Sequence, residues 1–114
     1  MKKYAEWTGK KLKDLAGGNL LSQTILAPLG VKDWLGDLVA IRHPMNGNDD
    51  YSMNIGNNLA VNTAVIQMEA TVDELIDSTG KALKEAKKNL KQDVGAYLLV
   101  HCGGRKLGIG DWID

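Results

Sequence analysis

The segment from Val72 to about Gln92 constrains the fold most, because its pattern fits an amphipathic helix of several turns. Thr71 is a favourable N-cap, and Glu74 three residues later completes a capping box. Apolar or small side chains then recur with the helical period. They are Val72, Leu75, Ile76, Thr79, Ala82, Leu83, Ala86 and Leu90. Acidic residues concentrate early and lysines late, which matches the helix dipole, while Gly80 lowers helix propensity and predicts a point of close packing.

Other segments predict strands separated by turns. The predicted strands are Asp37–His43, Tyr51–Ile55, Leu59–Met68 and Ala96–Cys102. Apolar residues on both faces of Leu59–Met68 predict a central strand that is covered on both sides. Residues 19–36 predict no regular element, because Pro28 and Gly30 interrupt their apolar pattern.

The two ends of the chain add a helix and a tail. Lys2–Ala16 predicts an N-terminal helix that stops at Gly17-Gly18, and the apolar residues of Lys106–Asp114 predict a docked tail. The sequence therefore predicts one α+β domain over residues 1–114. Its expected architecture is a mostly antiparallel sheet of about four strands, with the long helix packed on it and an N-terminal helix.

Composition excludes several classes of function. Fourteen Lys and Arg residues balance 14 Asp and Glu residues, so the net charge is zero. This balance gives no general electrostatic attraction to nucleic acid or to an anionic membrane surface, and we expect neither as a partner. No apolar run approaches a membrane span, and one cysteine makes no internal disulfide. We therefore expect a soluble, cytoplasmic protein.

Cys102-Gly103-Gly104-Arg105, at the end of the last predicted strand, is the most informative tetrapeptide. Its two glycines leave backbone N–H groups accessible to an anion, and Arg105 can grip a carboxylate or phosphate with two parallel hydrogen bonds. The same residues also fit a buried cysteine, a tight turn and a surface arginine.

Arg42-His43-Pro44 ends another predicted strand, and Arg42 would share a pocket with Arg105 if the two strands are neighbours. Alternatively, Arg42 pairs with a nearby acid such as Asp37 or Asp49.

Metal and thiol chemistry have little support from spacing. His101 and Cys102 are adjacent, so in a strand they point to opposite faces and cannot easily share one ion. A Cys102 nucleophile with His43 as its base requires a proximity that spacing does not predict. We expect no metal, no cofactor and no catalytic residue.

Several motifs, taken in order, resemble the C-terminal region of the FIST family, the F-box and intracellular signal transduction proteins. The resemblance extends from Tyr4 to Gly108. Its motifs are Tyr4-Ala-Glu-Trp7, Pro28-Leu29-Gly30, Ile41-Arg42-His43-Pro44, Asp50-Tyr51-Ser52-Met53, Asp73-Glu74-Leu75-Ile76 and Leu98-Leu99-Val100-His101-Cys102-Gly103-Gly104-Arg105. The last of these matches the family's apolar strand ending in Cys-x-Gly-Arg.

The resemblance implies an intracellular sensory module of signal transduction that binds small ligands, such as amino acids or other small carboxylates, rather than turning them over. It implies ligand-binding roles for Arg42, Cys102, Gly104 and Arg105, with Gly103 beside them. The sequence departs from the family pattern in three respects. Residues 1–114 hold neither the family's N-terminal FIST domain nor the helix and strand that follow the Cys-x-Gly-Arg strand, so we expect a truncated or stand-alone C-terminal domain, and His101 stands where small residues are common.

These departures keep a second hypothesis open. The chain would then be a protein–protein interaction or assembly module without a small ligand. It would form a homo-oligomer or dock on a separate N-terminal FIST domain.

Overall fold

The structure, a computed structural model, describes residues 1–110 and divides the chain into two compact units. The N-terminal unit is Met1–Glu69, and the C-terminal unit is Ala70–Asp114. The tail position Trp112 lies outside the described residues. No helix in the described part of the chain combines the length and apolar character that crossing a membrane requires.

The N-terminal unit contains two short helices and six strands. The helices are α1 (Lys2–Thr8) and α2 (Leu21–Thr24), with a 3-10 turn at Leu12–Asp14 between them. The strands are β1 (Gly18–Asn19), β2 (Leu29–Lys32), β3 (Leu38–Arg42), β4 (Pro44–Gly47), β5 (Met53–Ile55) and β6 (Val65–Gln67). They form two antiparallel three-stranded sheets, in the orders β1-β4-β5 and β3-β2-β6.

The α+β class is confirmed, but the single sheet of about four strands is wrong. Two small sheets replace it, and β2, the centre of one of them, lies in the segment where no element was predicted. The predicted strand Leu59–Met68 is reduced to β6 at a sheet edge. Turns occupy its first half, where Asn62 adopts a positive φ of 62° and Thr63 bonds to the carbonyl of Ala60.

The core of the N-terminal unit forms where α1 and the following turn meet the strands. Its buried members are Tyr4, Ala5, Leu15, Leu20 and Leu29. The Tyr4 hydroxyl donates a 2.7 Å hydrogen bond to the carbonyl of Ala27. Burial raises the pKa of Tyr4 to about 12. The predicted helix Lys2–Ala16 stops early, because Gly9 takes a left-handed conformation with φ of 66° and caps α1.

The C-terminal unit consists of α3 (Val72–Lys88), an irregular segment, and α4 (Gly103–Ile109). The capping box is confirmed: Thr71 Oγ1 accepts from the N–H of Glu74, whose carboxylate accepts from the N–H of Thr71. The helix ends at Lys88 rather than near Gln92. Since α3 and the sheets belong to different units, the expected packing of the helix on the sheet stays a prediction.

The predicted last strand, Ala96–Cys102, is wrong. This segment has no regular structure, and its apolar side chains are exposed. Apolar composition and β-branching favour a strand, but a strand also requires neighbouring backbone to complete its hydrogen bonds. No described strand pairs with this segment.

Candidate functional site

Arg105 is fixed in place by hydrogen bonds that join α4 to α3. Its Nη1 donates to Ser78 Oγ at 2.7 Å, and its Nη2 donates to Thr79 Oγ1 at 2.6 Å and to the Leu75 carbonyl at 2.5 Å. Ser78 Oγ also donates to the Leu75 carbonyl, at 2.7 Å. The half-buried guanidinium is therefore held in one orientation by the first and second turns of α3.

A groove of about 500 Å³ runs beside Arg105, within the C-terminal unit. One wall is the face of α3, and the other is the irregular segment before α4. The lining residues are Ser78, Thr79, Ala82, Leu83, Ala86, Leu98, Leu99, Val100, His101 and Arg105. The polar members other than His101 are mutually hydrogen-bonded, so the groove has an ordered polar group and a larger apolar remainder.

Among its described lining residues, the groove offers hydrogen-bond donors and one source of fixed positive charge, Arg105. A guanidinium has five N–H groups, and three are used in the bonds to α3. The other two have no partner among residues 1–110. No carboxylate is among the described residues that line the groove. The local chemistry therefore suits an anion attached to an apolar group.

Cys102, Gly103 and Gly104 do not form the predicted turn at a strand end. Cys102 is the exposed N-cap residue of α4, and the two glycines occupy the first turn of that helix. The interpretation of Cys102 as a buried strand-end residue is wrong as well. A Cβ added to Gly103 would contact nothing within 4 Å, so the approach to this end of α4 is open.

Arg42 belongs to the other unit and has local partners there. Its Nε donates to the Asn58 carbonyl at 3.1 Å, and its Nη1 donates to the Ile41 carbonyl at 3.0 Å. The described residues therefore pair Arg42 with backbone carbonyls rather than with Asp37 or Asp49. The suggestion that Arg42 and Arg105 share a pocket stays a prediction, because each is described within its own unit.

The residues considered for metal or thiol chemistry are also divided between the units. His43 lies in the N-terminal unit, where its Nε2 is 3.3 Å from the Ile25 carbonyl. Cys102 and His101 are exposed in the C-terminal unit. Within residues 1–110, no three His, Cys, Asp or Glu side chains cluster in a way that could hold a metal ion.

Comparison with known proteins assigns the family. The model of the FIST C domain matches residues 1–114. The chain belongs to the FIST C domain family. No curated protein and no solved structure gives a significant match. Family membership makes the chain a signal transduction domain.

The sequence of this FIST C domain pointed to Arg105 but not to its partners. The sequence predicts no arginine partner at Ser78, and it places Thr79 only on the apolar face of α3. One signal is present: the hydroxyl residue Thr79 interrupts an otherwise apolar stripe, and a second hydroxyl residue, Ser78, lies next to it in the sequence. Which arginine they would hold depends on the position of α4, and spacing along the chain does not give that position.

Proposed function

We propose that this FIST C domain senses a small carboxylate with an apolar tail, which binds in the groove beside Arg105. The observation that carries the proposal is the orientation of Arg105. Its bonds to Leu75, Ser78 and Thr79 hold the guanidinium at the groove while two N–H groups keep no described partner. A donor group that is already oriented loses little conformational freedom on binding.

The apolar wall fits the rest of such a ligand. Leu98 and Val100 are 92% and 87% exposed, although both line the groove. A bound tail would remove part of this surface from water and gain about 25 cal/mol per Å² of apolar area. A groove of about 500 Å³ lies in the range of small-molecule sites.

The charges of the groove favour a simple carboxylate over a free amino acid. An ammonium group would be placed close to the Arg105 guanidinium, and no lining carboxylate among the described residues would balance it. We therefore propose carboxylates with an apolar chain and without an α-amino group as the ligand class. The backbone at Gly103, two residues before Arg105, is open, because a Cβ added there would meet nothing within 4 Å, and the neighbouring Cys102 is exposed.

Arg105 also supplies a route for the signal. The same side chain that would bind the ligand carries hydrogen bonds between α3 and α4. A carboxylate that takes the remaining N–H groups would strengthen or redirect those bonds and change how firmly α4 is held on α3. A partner that contacts either helix would then detect the ligand.

Isothermal titration calorimetry with a matched pair of ligands tests this function. We expect 4-methylpentanoate to bind and leucine, which differs by its α-amino group, to bind more weakly. Arg105→Ala should weaken binding of 4-methylpentanoate roughly 10- to 100-fold, the usual effect of losing charged hydrogen bonds. Lys106→Ala, which removes a neighbouring exposed charge on α4, is the matched control and should leave the affinity unchanged.

Two results would contradict the proposal. One is the absence of binding by any small carboxylate at millimolar concentration. The other is equal affinity in the parent, Arg105→Ala and Arg105→Lys proteins while circular dichroism shows that all three are folded. Arg105→Lys keeps the charge without the planar donor geometry, so we expect an intermediate affinity.

A second candidate function follows from the same exposed segment. Tyr97, Leu98, Leu99 and Val100 expose more than half of their surface, which suits docking on a separate N-terminal FIST domain. That domain, added in trans, would then bind without any carboxylate. Leu98→Asp with Val100→Asp would abolish the binding, whereas Arg105→Ala would not.

A further inference from the structure

One side of α3 carries an exposed strip that takes no part in the groove. Its members are Asp73, Ile76, Asp77, Gly80, Lys84 and Lys87. Spacings of three and four residues align them along one side of a helix. All of them are exposed, and none lines the groove.

The charges of this strip are separated by sign and have no partner in the described chain. Asp73 and Asp77 precede Gly80, and Lys84 and Lys87 follow it. Within residues 1–110 the ion pair on α3 joins Lys88 and Glu85, neither of which belongs to the strip. The strip is therefore acidic at one end and basic at the other, and its charged side chains are exposed to solvent.

We propose that α3 pairs with α3 of a second copy of this chain, antiparallel and crossing at Gly80. Asp73 and Lys87 are both seven residues from Gly80, so a two-fold axis there places Asp73 of each copy beside Lys87 of the other. Asp77 and Lys84, three and four residues from Gly80, meet in the same way. A parallel pair would instead bring like charges together, so the charge pattern selects the antiparallel arrangement.

Gly80 is suited to the crossing point. A Cβ added to it would meet nothing within 4 Å, so open space lies beside the backbone there. Without a side chain at that position, two helices can approach to the short end of the usual interaxial range of about 8–10 Å. Ile76, one turn earlier and 36% exposed, would lie next to the crossing and lose water contact.

The area of a single helix pair limits the strength of this dimer. Four turns of helix bury less than the roughly 1,200 Å² at which stable interfaces begin. We therefore expect a reversible dimer that forms at high micromolar concentration and weakens with added salt, because its charge pairs remain close to solvent. It requires no ligand, so its test is independent of carboxylate binding.

Sedimentation equilibrium of the full chain with two charge variants provides the first test. The basic variant is Asp73→Lys with Asp77→Lys, and the acidic variant is Lys84→Asp with Lys87→Asp. Each variant alone should dimerise at least roughly tenfold more weakly than the parent, because like charges now face each other. An equimolar mixture should form a heterodimer, since all four facing pairs become complementary.

Cross-linking tests the orientation of the helices. In a Cys102→Ser background, Gly80→Cys should form an intermolecular disulfide under mild oxidation, because both copies of residue 80 lie at the axis. Asp73→Cys is the matched control on the same strip. In the antiparallel pair its two copies are about 20 Å apart, so it should not cross-link.

Three outcomes would overturn the dimer. The first is a parent chain that stays monomeric at millimolar concentration and low salt. The second is a mixture of the two charge variants, both still helical, that forms no heterodimer. The third is an intermolecular disulfide in Asp73→Cys but not in Gly80→Cys. Circular dichroism of each variant establishes that α3 is intact before the result is counted.

Discussion

Gly47 shows how strongly a single residue can limit the packing of the N-terminal unit. It pairs with Gly18 across β1 and β4 and is buried. A Cβ at Gly47 would lie 1.7 Å from the carbonyl oxygen of Leu15, and the obstacle is backbone rather than a movable side chain. The turn before β1 can approach β4 only because residue 47 lacks a side chain.

Gly47→Ala is therefore expected to destabilise the protein by about 3 kcal/mol or more, as severe overpacking does. Gly18 pairs with Gly47 across the two strands, and a Cβ at Gly18 would contact nothing within 4 Å, so Gly18→Ala is the matched control. It should change stability by less than about 1 kcal/mol. Urea unfolding followed by circular dichroism measures both, and equal midpoints for the two variants would contradict the packing argument.

Arg105 is the residue for which sequence and structure agree in part. The sequence indicated a basic residue beside two glycines, which suits anion binding, and the half-buried guanidinium does lie at a groove. Its fixed orientation comes from hydroxyl and carbonyl groups 26 to 30 residues earlier in the chain. No short motif encodes that contact.

At the scale of elements, the capping box at the start of α3 is the most local structure in the chain. The pKa of Glu74 is lowered below its ordinary value of 4.5. The largest cause is the hydrogen bond that the Thr71 N–H donates to the Glu74 carboxylate, followed by the bond from the Thr71 hydroxyl and the charge of Lys81. A carboxyl group whose pKa is lower in the folded protein stabilises the fold at pH values above its ordinary pKa. That stabilisation is lost as the pH falls through the folded value.

We expect α3 to lose helicity as the pH falls below 4.5 and through the lowered pKa of Glu74, and Thr71→Ala to reduce the part of this loss that Glu74 causes. The same substitution should destabilise α3 by about 1 kcal/mol at neutral pH, the usual effect of removing an N-cap. Ellipticity at 222 nm during acid titration measures both effects. Glu74→Gln is the control that keeps a side-chain acceptor for the Thr71 N–H, and it should remove the part of the acid dependence that Glu74 causes while retaining most of the helicity.

Comparison of β2 with the segment Ala96–Cys102 shows that the local sequence pattern does not predict which segments form strands. The apolar, β-branched segment predicted a strand, but no described strand offers it hydrogen-bonding partners. Leu29–Lys32 gave a weak signal because Pro28 and Gly30 interrupt it, yet it is paired on both sides, with β3 and β6. A glycine suits position 30 because the neighbours are close: an added Cβ would lie 2.7 Å from the Leu38 and Met68 side chains.

At the scale of the whole molecule, the two units differ in how much they bury. The N-terminal unit has a core of Tyr4, Ala5, Leu15, Leu20 and Leu29. Among the described residues of the C-terminal unit, Ile109 is the buried one, at 7% exposure. Since burial of apolar surface is the main stabilising contribution, the C-terminal unit should open at a lower free energy.

Native-state hydrogen exchange tests this difference. We expect the slowest amides in β2, which is paired on both sides, faster exchange in α3, and nearly unprotected amides from Tyr97 to Val100. A bound carboxylate or a dimer should slow exchange in the C-terminal unit and leave β2 unchanged. Uniform protection across both units in the absence of ligand would contradict the expected order of stabilities.

The sequence by itself determined the features whose causes are local. The start of α3 follows from the capping box and the helical period, the strand β3 from a short apolar run, and the family from motifs in order along the chain. Tertiary structure decided which segments pair as strands, where α4 replaces a predicted turn, and what holds Arg105. Helix caps and helical faces depend on residues three or four positions apart, whereas sheets and binding grooves depend on partners that are distant in the chain.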